Sequence, residues 1–513
     1  MKKIGLFLAL SCAVLARDEL TLAPVFTDHM VVQRDRPLPV WGRAAPNALI
    51  TVEFAGERQS AAADASGRWR ARLAPRAASA EPRVMRVSSA AESRMLTDVL
   101  VGEVWLCAGQ SNMEWPLAKE VHAQEEIPRA AHRAIRLLNP DYAGKEAGGN
   151  AFTPTQVARL TPEDYFRGAW TTCTSEAATQ FSAIGYYFAR EVHAALGVPV
   201  GVINLAVGGS PAEAWMRSES LAADPGLSAL AASDWLANPA LEAWCLQRAH
   251  ENLDRAITAG EIDPRAPNHP FKPGFLWAAA LEPLAPFAFR GVLWYQGESN
   301  SLRADRVRQH ERLFPLLVRD WRARWGLGDF PFLYCQLSGI ETTSYHSEFW
   351  PEFRDGQRRM LTIIPNSGMV VTSDVGDPAS VHPRDKLTVG TRLARLALAR
   401  CYGCDLESSG PTPRSAVVRE HELSVEFDHA AGGLRTGDNG SPSGFEIADA
   451  TGDFAPATAK VAGSTITLSS SRVAAPRRVR YGWQPFIIGN LTNAAGLPTS
   501  TFAIEVQPPR PGK

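Results

Sequence analysis

The chain has 513 residues, 45% of them hydrophobic, and its 53 basic and 54 acidic side chains leave a formal charge of −1. That length predicts about two to four domains, and the apolar share excludes a disordered chain. The balanced charge excludes the electrostatic footprint of a nucleic-acid binder. The 14 tryptophans read mainly as core, with stacking on sugar faces as their alternative use.

Residues 1–16 read as a secretory signal. Lys2 and Lys3 form a basic start, Ile4 to Leu15 an apolar stretch, and Val14-Leu15-Ala16 a small-residue cleavage site before Arg17. The stretch is too short to span a bilayer, so the expectation is an exported protein, periplasmic or extracellular. Cys12, after Leu10-Ser11, makes only a faint lipoprotein box, because Ala9 stands three positions before it. Of the six remaining cysteines, Cys107 and Cys335 sit inside apolar runs and read as inert buried thiols. Cys401-Tyr-Gly-Cys404 lacks a partner pair or nearby histidines and reads as a local disulfide, not a metal site.

Residues 17–99 read as an all-β module with the form of a β-sandwich. Its strand candidates are Met30–Val32, Leu38–Trp41 and Leu49–Phe54, with a hairpin turn at Ser66-Gly67. Over 100–404 the pattern changes. Apolar runs at 101–107, 135–138, 200–207, 289–295, 330–337 and 369–372 alternate with helical segments such as 181–196, which Gly197 and Pro199 stop. That alternation predicts a parallel sheet with helices on both faces. Residues 220–269 read as a helical excursion near the active face. Residues 405–513 return to β character, with period-two runs at Leu423–Phe427 and Thr465–Leu468 and a Pro-rich tail.

In such a sheet, ligands bind beyond the carboxyl ends of the strands. Four ends carry chemistry: Gly109-Gln110-Ser111-Asn112, Gly208-Gly209-Ser210, Gln296-Gly297-Glu298-Ser299-Asn300, and Asp374 to His382. The Ser111 turn follows an apolar run, as a nucleophile elbow does, without the Gly-x-Ser-x-Gly spacing; its bland reading is a helix N-cap. A serine hydroxyl needs a base, and His382 follows the last predicted strand. The backbone N–H groups of Ser111 and Gly209 are the candidate oxyanion donors, with the side-chain amide of Gln296 or Asn300 as a third. Asp377 or Asp374 is the candidate to orient the imidazole.

These residues resemble the sialate O-acetylesterase family, secreted carbohydrate esterases of the SGNH hydrolase superfamily. The matching stretches are GEVWLCAGQSNMEW (102–115), INLAVGGSPAEAWM (203–216), GVLWYQGESN (291–300) and VHPRDKLTVGTRLA (381–394), with flanking matches near both ends. The resemblance implies an α/β fold, an SGNH-type α/β/α hydrolase domain flanked by N-terminal and C-terminal β-rich domains. It also implies a cofactor-free and metal-free esterase that removes acetyl groups from sugar hydroxyls. On that resemblance Ser111 is the nucleophile and His382 the base, with Gly209 and the Gln296–Asn300 segment around the oxyanion. Glu298 is placed behind the turn that holds Ser111, or as an acid or base. Many SGNH hydrolases carry an aspartate three residues before the histidine, where this chain has Ala379. Two arrangements remain: Asp377 as third member, or a Ser111–His382 dyad.

The partner expected is an acetylated sugar or glycan, sialic acid first, with acetylated plant polysaccharide as the alternative. A carboxylate-binding arginine favours sialate, and Arg384 and Arg392 are the candidates. A glycan-binding protein without catalysis, built on the two β modules, is the alternative of another class. Ser111 and His382 argue against it.

Overall fold

The computed structural model describes residues 19–419, 422–487 and 489–507. The expected signal at 1–16, with Cys12, lies outside the described residues, as do residues 508–513 of the expected tail.

The chain forms a mixed α/β structure around an 11-stranded sheet. Its central path runs Trp170–Cys173, His132–Leu138, Val200–Asn204, Ser93–Gly109, Gly291–Tyr295, Phe332–Cys335, Ser367–Val370. All pairings along it are parallel except the edge pair of Trp170–Cys173 with His132–Leu138. Each apolar run read from the sequence as a strand lies in this path. The runs are apolar throughout because both faces are buried. Along Ser93–Gly109, Trp105 and Cys107 enter one core with the helices Ala183–Leu196 and Leu387–Tyr402. Val104, Leu106 and Ala108 enter another with the helix Ala304–Trp325.

The helix read over 181–196 starts at Ala183, because the Ser182 hydroxyl caps it by accepting the Gly185 N–H. Gly197, in the left-handed conformation at φ 65°, ends it as expected. The 220–269 excursion is helical, with the long helix Ala243–Thr258.

The 17-residue strand Ser93–Gly109 is longer than its apolar part. Its first half pairs antiparallel with Ser79–Ser88, and Leu100–Gly102 pairs parallel with Val31–Gln33. The expected boundary at 99/100 therefore falls inside one strand. At the other end, the helix Leu387–Tyr402 stops at Gly403, and the β strands that follow bury their own core around Val425, Phe445, Ile466 and Phe502.

Cys401 and Cys404 are free thiols, which corrects the disulfide expectation. The motif ends a helix instead: Gly403 is left-handed at φ 71°, and the Cys404 N–H turns back to the Leu398 carbonyl.

Candidate active site

The central strand ends at Gly109, whose φ of 121° sets the turn. A Cβ there would stand 2.2 Å from the Tyr295 carbonyl oxygen, so only glycine lets the two strands close at this end. The Gln110 N–H donates to that same carbonyl at 2.9 Å, and a one-turn helix, Ser111–Glu114, follows. Ser111 is not its N-cap; Gln110 occupies that position. The Ser111 hydroxyl is left to point elsewhere, and His382 Nε2 lies 2.8 Å from its Oγ.

His382 is partly buried, and its ring stacks on Trp115 with centroids 5.1 Å apart. Burial, with the charges of Lys386 and Lys119 nearby, lowers its pKa to about 4. The imidazole is therefore neutral at pH 7, the form in which a ring nitrogen can accept a proton.

Neither candidate acid meets the imidazole. Asp377 Oδ1 accepts the Ala379 N–H at 2.8 Å and shapes the turn before His382. Asp374 forms a bidentate pair with Arg392, at 2.7 and 2.6 Å. That pair also removes Arg392 as a substrate ligand. Among the described residues no carboxylate bonds His382. Arg384 remains exposed, its Nε on the Lys119 carbonyl at 3.1 Å.

The loop after Val200–Asn204 brings Gly208 and Gly209 beside the serine. Gly208 spends its N–H on Glu114 Oε2 at 2.7 Å, while Glu114 Oε1 accepts the Tyr142 hydroxyl. Burial raises the Glu114 pKa. Gly209 is left-handed at φ 73°, and a Cβ would meet Trp244 at 2.7 Å and Phe271 at 2.8 Å. Among the described residues, the N–H groups of Ser111 and Gly209 have no protein acceptor.

The amides expected to join them are engaged otherwise. Asn300 Oδ1 accepts the Ala212 N–H at 2.9 Å and the Gln296 amide, and its Nδ2 donates to Glu213 at 2.8 Å. Both side chains are buried and brace the loop against the Arg306–Glu213 pair. Asn300 is thus committed as a donor, and Gln296 keeps only a long 3.5 Å contact, to Ser210 O, beyond its bond to Asn300. Glu298 lies behind the nucleophile turn, its Oε1 on Asn112 Nδ2.

Sequence reasoning gave no role to Asn112, Glu114, Trp115 or Lys386, although all four stand inside the quoted motifs. A buried polar residue next to each reactive one was the available signal. The cluster of Glu120, His122 and Asp385 is the metal-compatible grouping among the described residues. Its groups are already satisfied: Glu120 by the His122 N–H and Tyr187 hydroxyl, Asp385 by Thr388.

Comparison with known proteins agrees with this geometry. A family model described as carbohydrate esterase, sialic acid-specific acetylesterase, matches residues 277–399. The sialate O-acetylesterase of Homo sapiens is 28% identical over 431 residues, 78% of this chain and 75% of the relative. That of Rattus norvegicus is 27% identical over 467 residues, covering 83% of each. A solved carbohydrate acetylesterase from Xanthomonas citri superposes with a TM-score of 0.77 at 33% identity, over 95% of this chain and 100% of that one. With that identity along the whole Xanthomonas chain, and with a serine and histidine bonded at the end of the central strand, the chain belongs to the sialate O-acetylesterase family of carbohydrate esterases.

Proposed function

We propose that the chain hydrolyses O-acetyl esters on sialic acid, with Ser111 as nucleophile and His382 as general base. One observation carries this reading: the 2.8 Å bond between Ser111 Oγ and His382 Nε2. Ser111 Oγ bonds to the acetyl carbonyl carbon and passes its proton to Nε2. The carbonyl oxygen takes the negative charge and faces the N–H groups of Ser111 and Gly209. The imidazolium then protonates the departing sugar oxygen, and the acetyl group stays on Ser111. Water repeats the sequence through the same base and releases acetate.

The parallel sheet with its helices is read here as an SGNH-type α/β/α core, and residues 17–99 and 405–513 as its flanking β-rich parts. Export through the leader at 1–16 belongs to the same reading. The substrate assignment is supported by the mammalian sialate O-acetylesterases, which align over three quarters or more of their length.

The test is acetate release from 9-O-acetylated sialic acid and from acetylated xylo-oligosaccharide, by wild type and Ser111→Ala. The expected result is preference for the sialate and a loss of about 10³-fold or more in the variant. Preference for the xylo-oligosaccharide overturns the substrate and keeps the mechanism. An active Ser111→Ala enzyme overturns the mechanism.

A further inference from the structure

A histidine base gains and loses a proton twice in each cycle, so something must keep its ring on the serine. In a Ser-His-Asp triad the aspartate does this through Nδ1. No carboxylate does so among the described residues here, and the buried polar groups behind the site supply another means.

Asn112 directly follows the nucleophile and has no exposed surface. Its Nδ2 donates to the Val381 carbonyl at 3.0 Å, the peptide directly before His382. The same Nδ2 donates to Glu298 Oε1. Its Oδ1 accepts from Lys386 Nζ at 2.6 Å. Lys386 and Glu298 are themselves buried, at 0% and 1% exposure, and come from two other loops. Lys386 Nζ carries N–H donors in either protonation state, although burial lowers its pKa to about 7 and raises that of Glu298. The Val381 carbonyl only accepts, so turning the amide over would set Asn112 Oδ1 against it, oxygen against oxygen. Lys386 is also held over the Trp115 and Tyr295 rings, at 5.7 and 5.9 Å, and Trp115 is the ring that stacks on His382.

We propose that Asn112 is a positioning residue that holds His382 on Ser111, with Lys386 and Glu298 fixing the direction of its amide. The aligning duty of a triad aspartate passes to a neutral side chain on the nucleophile's own turn. This inference rests on the Ser111–His382 reading above.

Steady-state hydrolysis of 4-nitrophenyl acetate tests it without reference to the sugar. Asn112→Ala is expected to lower kcat about 100-fold with KM within about threefold, the signature of lost alignment without lost binding. Glu298→Ala is expected to fall with it. Glu298→Gln keeps an acceptor oxygen for Nδ2 and is expected to stay within about tenfold of wild type. An Asn112→Ala enzyme within threefold of wild type overturns the proposal. So does a Glu298→Gln enzyme as slow as Glu298→Ala, because the carboxylate charge itself would then be needed. Where Asn112→Ala does not fold, the Glu298 pair decides alone. Ser111→Ala is measured alongside: an active variant overturns the dyad and the clamp together, while an inactive one with a fast Asn112→Ala enzyme overturns the clamp only.

Discussion

In the proposed mechanism His382 serves as base only while it is neutral. Burial and two nearby lysines lower its pKa to about 4, against 6.5 for a free histidine. Activity is present above that pKa and lost as pH falls through it. The acid limb of kcat/KM, measured from pH 3 to 8, is therefore expected near 4 and well below 6.5. Asp377 adds a second prediction at this scale. Its carboxylate shapes a turn through the Ala379 N–H and does not touch the imidazole. Asp377→Asn should lower kcat less than about fivefold, against the ~10⁴-fold cost of removing the charge of a triad aspartate. Steady-state kinetics on one ester would separate the two. Ser111, Gly209 and His382 were legible in the sequence because each follows an apolar run that had to be a strand. The partners of Asn112 were not. Glu298, Val381 and Lys386 lie 186, 269 and 274 residues away in the chain, and no local pattern encodes such meetings. Nor did the sequence show that the Gln296 and Asn300 amides already donate to Asn300 Oδ1 and Glu213. Residue type announces a donor but not which acceptor has already taken it.

The segment that carries His382 is held from outside the central sheet. Asp377 N–H donates to the Gly339 carbonyl, and Ile340 N–H to the Pro485 carbonyl of the C-terminal β region. Arg354, from the helix Trp350–Ile363, is fully buried and caps the carbonyls of Pro485 at 3.2 Å and Gly482 at 3.1 Å, and that of Gln484. Burial pulls its pKa down to about 9. Replacing Arg354 with Met relieves the desolvation of one cation but takes a donor from three carbonyls, leaving Pro485 with the Ile340 N–H and Gly482 with the Thr501 hydroxyl. The second effect is expected to win by about 2–4 kcal/mol. The check is a lower Tm, with cleavage near residue 405 in limited proteolysis. A fall in kcat should accompany it, since the turn before His382 rests on the loop Arg354 holds. None of this was visible in the sequence, where Arg354 reads as one more charge on an amphipathic helix.

Across the whole molecule, the boundary expected at 99/100 falls inside one strand, and the burial pattern shows why it was read there. From Ser93 to Leu96 the strand Ser93–Gly109 is mostly exposed, and from Val99 onward every residue is buried. That shift looks like a change of domain, but it is one strand passing from a half-open sheet into a covered one. The two regions also share a core: Val31, Val52 and Val87 belong to the same apolar cluster as Leu106, Trp294 and Phe314. A chain starting at residue 100 loses the pairing of Leu100–Gly102 with Val31–Gln33 and uncovers that cluster. It is expected to give no soluble, active product, judged by expression yield and acetate release. For recombination between relatives the consequence is unequal. No crossover point between Ser93 and Gly109 leaves the ladder to the nucleophile intact, so the N-terminal region cannot be exchanged as a cassette. At Gly403 a helix ends and the strands that follow bury a core of their own, tied to the rest of the chain through Arg354 and Ile340.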